Sequence, residues 1–273
     1  MLGKVKKGIM EVVAVFISLI VLIPVFMLVI NSFKSSAEAS ELKLTIPGQW
    51  HVLENYKEVF IQADVIRVLI NSLLVTCVSV MFVVVLSAMA SFVLQRKNSR
   101  LSNFIYSTFI IGLFFPAFMV QIYFLVKLLH MNKSLIGPIF VYIALNIPTI
   151  IFMFYGYFKS IPRQIDESAI LDGCGIIRLF FKIIFPLSLP ITITAVIISF
   201  MSIWNDFNVA LYFLSVPERR TLPMTTFFFF SQKKSDWNLV LANVVIVSLP
   251  VILLYFALQR YIIDGMATGA IKG

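Results

Sequence analysis

The chain has 273 residues, of which 60% are hydrophobic and only 13% charged, and its formal net charge is +9. Soluble globular domains carry about 25% charged residues, so this composition excludes an ordinary soluble protein and predicts an integral membrane protein. The basic residues are spread over many connections and form no single patch, which excludes nucleic acid as a partner.

Apolar blocks long enough to cross a bilayer, about 20 helical residues each, recur along the chain. The first, at about residues 12–30, follows a cluster of lysines. Its apolar core is longer than that of a cleaved signal peptide, roughly 7–15 residues, so we expect an uncleaved span although Ala37-Glu38-Ala39 resembles a cleavage site. A polar connection at residues 34–64 follows, with Trp50 suited to a membrane interface. We therefore predict that residues 1–64 form one span and an extracellular connection.

Five further spans form one predicted transmembrane domain, residues 65–262, and a cytoplasmic tail follows at residues 263–273. The spans are expected at about residues 65–94, 101–129, 135–158, 179–214 and 239–262. Pro186 and Pro190 should break the fifth span near its start. Six spans place both termini on one side, and the lysines before the first span favour the cytoplasm for that side. The predicted fold class is thus an all-α membrane protein with six transmembrane helices.

No motif for catalysis or metal binding occurs along these spans. The sequence lacks a G-x-x-x-x-G-K-[ST] phosphate loop, a G-x-S-x-G nucleophile elbow and any paired Cys or His ligand spacing. We therefore expect no catalytic residue, no metal ligand and no cofactor in this chain. If nucleotide hydrolysis drives the protein, another chain must perform it.

One polar segment, residues 161–173, interrupts the apolar blocks between the fourth and fifth spans. Pro162 suits the first position of a helix, because it lacks only an amide hydrogen that would be unpaired there. Asp166 and Glu167 lie near the helix start, and Gly173 is placed to end the helix. A helix of about two to three turns is too short and too charged to span a bilayer.

This short helix has two possible roles. Ile165, Ala169 and Ile170 share one apolar face, and Ala169 is small enough to allow close approach of another surface. Such a helix either docks on a separate protein or lies on the membrane with its charges solvated. The residues alone leave both roles open.

Asn205, Asp206 and Asn208 form a second polar group, within the predicted fifth span. An acid inside a span is costly and by default indicates a polar pathway, and Asn208 lies three residues from Asn205 on a similar helix face. These side chains either line a solute passage or clamp a neighbouring helix, and Asp206 could also lie close enough to the outer interface to be wetted. The run from Phe227 to Phe230, in the connection at residues 215–238, predicts an interfacial or re-entrant packing element.

The short helix and the residues after it resemble the E-A-A-x3-G-x9-I-x-L-P loop of permease subunits in ABC importers. The residues that match are Glu167, Ala169, Gly173, Ile183 and Pro186. Ser168 and Phe185 depart from that pattern, yet both keep its small or apolar character.

Three further stretches are similar to carbohydrate importers of the maltose type. They are Trp204-Asn205-Asp206-Phe207, Thr221-Leu222-Pro223 and the ending Gly269-Ala270-Ile271-Lys272-Gly273. The ending is similar to the tail of the shorter of the two maltose-type permeases. Related subunits import other polar solutes such as glycerol phosphodiesters, so a non-sugar solute stays open.

The resemblance implies the type I ABC importer fold and a permease subunit in the bacterial cytoplasmic membrane. Such a subunit moves a sugar or oligosaccharide from an extracellular binding protein by alternating access. The residues implied in ATPase coupling are Asp166, Glu167, Ser168, Ala169, Asp172 and Gly173. The implied partners are a second, homologous permease subunit, two cytoplasmic ATPase subunits that bind ATP and Mg, and an extracellular solute-binding protein that the connection at residues 215–238 would face.

Two other classes are weaker on the sequence. A secondary transporter acting without an ATPase partner would show internal repeats and charged ion-coupling residues deep in several spans, whereas Asp206 is nearly alone. A membrane-bound enzyme would need the nucleophile or metal motifs that are missing.

Overall fold

The computed structural model describes residues 2–97, 99–132, 134–232 and 236–270. All the regular structure in those ranges is helical, which confirms the predicted all-α class. The α-helices are α1 (Leu2–Asn31), α2 (Ser36–Ser40), α3 (Val52–Gln62), α4 (Val65–Lys97), α5 (Arg100–Gly112), α6 (Met119–Leu128), α7 (Ile136–Ser160), α8 (Gln164–Leu171), α9 (Ile176–Leu179), α10 (Phe185–Leu187), α11 (Leu189–Trp204), α12 (Asn208–Phe213), α13 (Leu222–Gln232) and α14 (Trp237–Ala270). A π-helical turn at Phe180–Ile184 joins α9 to α10, and a 3₁₀ turn lies at Pro217–Arg219. Residues 271–273 of the predicted tail lie outside the described residues.

Four of the described helices are long and apolar enough to cross a membrane. The segments are Gly8–Asn31, Val65–Lys97, Ile136–Ser160 and Trp237–Gln259. A fifth candidate is the bent pair Ile176–Leu187 and Leu189–Trp204, whose axes meet at 79°. The chain is therefore a multi-pass membrane protein.

Two predicted spans are interrupted in the structure. In place of one helix over residues 101–129, α5 ends at Gly112 and α6 begins at Met119. Pro116, in the gap, has no amide hydrogen to continue a helix. The fifth span is bent at Ser188, beside the two prolines expected to break it, and it is interrupted again at residues 205–207 before α12.

The described chain falls into two compact units. The first combines residues 1–67 with residues 224–250, and the second combines residues 68–223 with residues 251–273. In the first unit the end of α1 holds the following connection through Lys34, which is almost fully buried. Its ammonium group donates to Oδ1 of Asn31 at 2.9 Å, to the carbonyl of Lys43 at 2.7 Å and to Oγ1 of Thr45 at 3.1 Å. Three acceptors offset the cost of burying this charge.

In the second unit, α7 is the central element and packs against α5, α11 and α12. Small residues on α4 allow close packing there. Ser91, for example, is fully buried, and its hydroxyl donates to the carbonyl of Ile151 on α7 at 3.1 Å. Phe154 and Phe158 of α7 stack with ring centroids 5.6 Å apart. This packing makes α7 the scaffold on which both candidate groups of polar residues are placed.

Candidate functional site

Helix α8 forms between two apolar helices, as the sequence predicts, but it begins later than Pro162. The chain leaves α7 at Ser160, and α8 runs from Gln164 to Leu171. Pro162 precedes the helix, and its carbonyl accepts a hydrogen bond from the amide of Ile165 at 3.3 Å. Because Pro162 disfavours helical geometry in the residue before it, it separates α8 from α7.

Gly173 ends α8 in the way its sequence position predicts. Its φ angle is +78°, in the left-handed region that favours glycine. The amide of Gly173 donates to the carbonyl of Ile170 and the amide of Cys174 donates to the carbonyl of Ala169, both at 2.9 Å. This pair of bonds is the Schellman motif, which turns the chain sharply out of α8.

The exposed side of α8 differs from the apolar face that the sequence predicts. Ala169 is buried against its own chain, and Ile165 is half-buried, so these two residues are not a free docking face. Ile170 and Leu171 are instead 60% and 88% exposed, and Glu167 is exposed beside them. The surface that α8 offers to another molecule is therefore an acidic and apolar one.

Ile183 belongs to the motif and follows Ala169 by fourteen positions in the sequence. In the structure it lies next to α8. It lines a groove of about 400 Å³ together with residues of α8 and its C-cap: Gln164, Ile165, Ser168, Ala169 and Asp172. Ser168 and Asp172 are exposed at this groove. Ala169 and Ile183, two motif residues that are separated in sequence, thus line the same groove.

The guanidinium group of Arg96, near the end of α4, holds α8 in place. Its Nε lies 2.6 Å from Oδ2 of Asp166, and its Nη2 donates to Oδ1 of Asp166 at 3.3 Å. Its Nη1 donates to the carbonyls of Ile161 at 3.2 Å and Phe158 at 3.5 Å. One side chain therefore joins the end of α4, the last turn of α7 and the first turn of α8.

The Arg96–Asp166 pair is shielded from water, since the two side chains are only 12% and 13% exposed. Burial raises the pKa of the Asp166 carboxyl above its usual value, and the charge and hydrogen bonds of Arg96 counteract that rise in part. The ionised carboxylate therefore depends on Arg96 for its stability. Losing one member of such a shielded pair costs more than losing a surface salt bridge.

Sequence reasoning places Asp166 in the coupling segment but gives Arg96 no role beyond marking a cytoplasmic loop. The two residues are 70 positions apart, and no local pattern in one sequence links a helix end to a later helix start. A second contact supports the same attachment: Nη2 of Arg163 donates to the carbonyl of Gln95 at 3.5 Å. These contacts fix α8 to the end of α4.

The second polar group lies where the predicted fifth span is interrupted. Helix α11 ends at Trp204, and α12 begins at Asn208. Oδ2 of Asp206 accepts a hydrogen bond from the amide of Val209 at 2.8 Å and from the hydroxyl of Tyr142 at 3.1 Å. Asp206 thus pairs with an otherwise free amide at the start of α12 and connects that helix to α7. A polar clamp between helices makes contacts of this kind.

Asn205 and Asn208 differ from Asp206 in their surroundings, because both are exposed while Asp206 is half-buried. The side-chain amide of Asn205, just after α11, donates to the carbonyl of Met201 in the last turn of that helix at 3.0 Å. The two asparagines are thus the exposed members of the group.

The phenylalanine run lies within α13. Phe229 is fully buried, whereas Phe227 and Phe230 are about half exposed. Close by in the same unit, Oγ1 of Thr225 donates to Oδ1 of Asn243 on α14 at 2.9 Å, and Asn243 donates in turn to Oγ1 of Thr226 at 3.0 Å. This bond pair fixes α13 against α14.

Comparison with known families gives a match over more than half of the chain. The family of binding-protein-dependent transport system inner membrane components matches residues 83–268. That range contains Arg96, the whole of α8 and the polar group at residues 205–208.

Individual relatives match nearly end to end. The probable starch degradation products transport system permease protein AmyC of Thermoanaerobacterium thermosulfurigenes is 32% identical over 271 residues, which cover 98% of each chain. The melibiose/raffinose/stachyose import permease protein MelC of Bacillus subtilis (strain 168) is also 32% identical, over 92% of this chain and 91% of its own.

Among solved structures, a bacterial ABC transporter involved in the import of the acidic polysaccharide alginate has a chain with a similar fold. The TM-score is 0.80 at 19% sequence identity, and the superposition covers 94% of this chain and 96% of that one. At this identity the likeness establishes the shared fold.

Proposed function

This chain belongs to the family of binding-protein-dependent transport system inner membrane components, and from that premise we propose that it is the permease subunit of an ATP-driven sugar importer. It moves a sugar or oligosaccharide, delivered by an extracellular binding protein, across the cytoplasmic membrane by alternating access. The names of two relatives, which refer to starch degradation products and to melibiose, raffinose and stachyose, support a carbohydrate as the solute.

The observation that carries this proposal is the surface of α8. This short charged helix lies between two membrane helices and exposes Ile170, Leu171 and Glu167. Exposed apolar side chains of this kind are stabilised by contact with another protein. Its Gly173 turn and its attachment to Arg96 make it a rigid projection. A rigid helix with an apolar tip and one carboxylate suits docking in a groove of a cytoplasmic ATPase subunit.

In this assembly each candidate residue has a distinct role. Glu167 supplies a charge-assisted hydrogen bond to the ATPase, and Ser168 and Asp172 line the rim of the contact. Asp166 and Ala169 hold α8 to its own chain, and Gly173 sets the direction in which the chain leaves it. ATP and Mg are bound by the two ATPase subunits, so this chain converts their closure into movement of α4 and α7.

The remaining partners complete the transport path. A second, homologous permease subunit forms the other half of the passage, and both termini of this chain lie in the cytoplasm. Asn205 and Asn208 offer hydrogen bonds to the hydroxyl groups of a sugar, while Asp206 fixes the helix that carries them. The connection at residues 215–238 faces the binding protein.

Purification of the tagged chain from its native membrane tests the assembly. We expect an ATPase, a second permease and, with sugar present, a binding protein to be isolated with it. A chain that is isolated alone and transports without ATP would contradict the proposal and favour a secondary transporter.

Uptake by the reconstituted assembly tests the solute. Starch oligosaccharides, raffinose-type sugars and a glycerol phosphodiester are supplied in parallel, each with its binding protein and with ATP inside the vesicles. ATP-dependent uptake of a saccharide supports the sugar assignment. Uptake of the phosphodiester alone would retain the importer and overturn the sugar.

A further inference from the structure

Helix α3 carries three separate sectors around its axis, because successive helical residues are turned by about 100°. The first sector faces the protein, where its residues are buried or half-buried: Val52, Asn55, Tyr56 and Val59. The second is exposed and largely apolar: Leu53, Lys57, Phe60 and Ile61. The third is exposed and polar: Glu54, Glu58 and Gln62.

The rotation of α3 about its axis is fixed by Asn55, whose side chain is buried. Its amide group donates to the carbonyls of Ser32 and Lys34, each at 2.9 Å, and its Oδ1 accepts from Nδ2 of Asn238 at 2.8 Å. The hydroxyls of Tyr56 and Ser32 are also hydrogen-bonded, at 3.1 Å. The directions in which the apolar and polar sectors point are therefore set by the protein.

Both ends of α3 are attached to the ends of candidate membrane spans. Asn55 bonds to the residues just after α1, which ends at Asn31. At the other end only Ala63 and Asp64 separate α3 from α4, and Asp64 makes this turn with a φ angle of +48°. Two residues span at most about 7 Å, so the end of α3 lies beside the start of a membrane span.

The side chains of the apolar sector are strongly exposed. Leu53 is 85% exposed and Ile61 is 69% exposed. Exposed apolar residues also follow in sequence on the next candidate span, beginning with Ile66. Lys57, in the middle of the sector, has a long apolar stem that lets its ammonium group reach the headgroups.

We propose that α3 lies in the surface of the lipid bilayer, with Leu53, Phe60 and Ile61 among the acyl chains and Glu54 and Glu58 in water. An interfacial helix has this division into apolar and charged sides, and the third side is covered by the protein through Asn55. The helix thereby anchors the turn between the first two spans at a constant depth. The proposal rests on the membrane location of the chain and does not depend on which solute is transported.

Spin labels at matched positions test the occupant of the apolar sector. Leu53→Cys and Ile61→Cys probe that sector, and Glu54→Cys and Glu58→Cys probe the polar sector of the same helix, in a chain whose Cys77 and Cys174 are replaced by alanine. Each label is measured in the full assembly in lipid vesicles. The two probes are oxygen, which enters lipid, and a water-soluble nickel chelate.

We expect the ratio of oxygen to nickel collisions to be roughly ten-fold higher at positions 53 and 61 than at positions 54 and 58, because lipid excludes the chelate. High nickel accessibility at positions 53 and 61 would place the sector in water and overturn the proposal. Low accessibility to both probes would place it against another protein, which overturns it equally. If one labelled variant fails to fold, Phe60→Cys probes the same sector.

Discussion

Asp166 and Asp206 lie on other segments that contact opposite ends of α7, and the two aspartates serve different purposes. Asp166 pairs with the charged Arg96, and the pair joins the ends of α4, α7 and α8. Among the described residues, Asp206 is hydrogen-bonded to neutral groups, the hydroxyl of Tyr142 and the amide of Val209. Tyr142 and Phe158, which mark the two ends on α7, are about 24 Å apart along its axis.

The difference lies in what each contact can transmit. A shielded guanidinium and carboxylate pair with a charge-assisted hydrogen bond is strong and directional, so a force on α8 passes to α4 and α7 through Arg96. The two bonds of Asp206 are made to neutral groups, and they hold the start of α12 against α7. We therefore expect changes at the Arg96 end to alter coupling to ATP, and changes at the Asp206 end to alter handling of the solute.

The largest effect should come from reversing the charge of Arg96. Arg96→Asp places two carboxylates together in a shielded site, and we expect a loss of about 3 kcal/mol in local stability with ATP hydrolysis no longer linked to uptake. The measurement is the number of sugar molecules imported per ATP hydrolysed. Lys97→Asp, at an exposed neighbouring position, is the matched control and should leave this ratio unchanged.

The charge swap Arg96→Asp with Asp166→Arg separates the role of the pair from general damage. The swap restores the pair but moves the guanidinium away from the carbonyls of Phe158 and Ile161. We therefore expect part of the coupling ratio to return. No recovery at all in a well-folded swap variant would show that the ion pair does not carry the coupling.

The next largest effect is expected at the exposed surface of α8. Glu167→Lys and Leu171→Glu alter side chains that make no described hydrogen bond or core contact within the chain, so the thermal stability of the isolated chain should change little. Retention of the ATPase during purification and the coupling ratio should both fall. Lys159→Glu, at an exposed position near the end of α7, is the control, and equal loss in that variant would point to net charge rather than to a docking surface.

Gly173 offers a test of the turn alone. A Cβ added at this position meets no atom within 4 Å, so Gly173→Ala strains only the backbone, by about 1–2 kcal/mol at a positive φ angle. Gly175→Ala is the matched control, because Gly175 also has open space and its φ angle is −68°. We expect reduced uptake and a lower unfolding temperature in the first variant alone. Equal behaviour of the two variants would remove the turn from the mechanism.

The sequence was sufficient to predict the helix and its C-terminal end, but not its first residue or its orientation. Charge, Pro162 and Gly173 are local signals, and they predicted a short helix that the structure confirms in outline. The burial of Ala169 and the exposure of Ile170 and Leu171 depend on how α8 packs on its own chain, which periodicity does not specify. Arg96 and Tyr142 could not be assigned to their aspartates because both pairings connect distant parts of the chain.

A smaller effect is expected at Asp206, where two substitutions separate its bonds. Asp206→Asn keeps an oxygen that can accept from the amide of Val209, so a loss below about 0.5 kcal/mol is expected, whereas Asp206→Ala removes both bonds and should cost about 1–2 kcal/mol. Thermal unfolding of the purified chain measures both. A large change in the coupling ratio in either variant would show that the two ends of α7 are not functionally separate.

The smallest and most selective effect is expected at Asn205 and Asn208, since both are exposed and neither clamps a helix to another. Asn205→Ala and Asn208→Ala remove one amide each from the proposed passage, and a hydrogen bond to a sugar hydroxyl contributes about 1 kcal/mol. The sugar concentration for half-maximal uptake should therefore rise about five-fold, with the coupling ratio unchanged, because the contact at Arg96 is intact. Uptake measured over a series of sugar concentrations gives both quantities. Unchanged sugar dependence in both variants would exclude these asparagines from the passage and would place recognition on the partner permease.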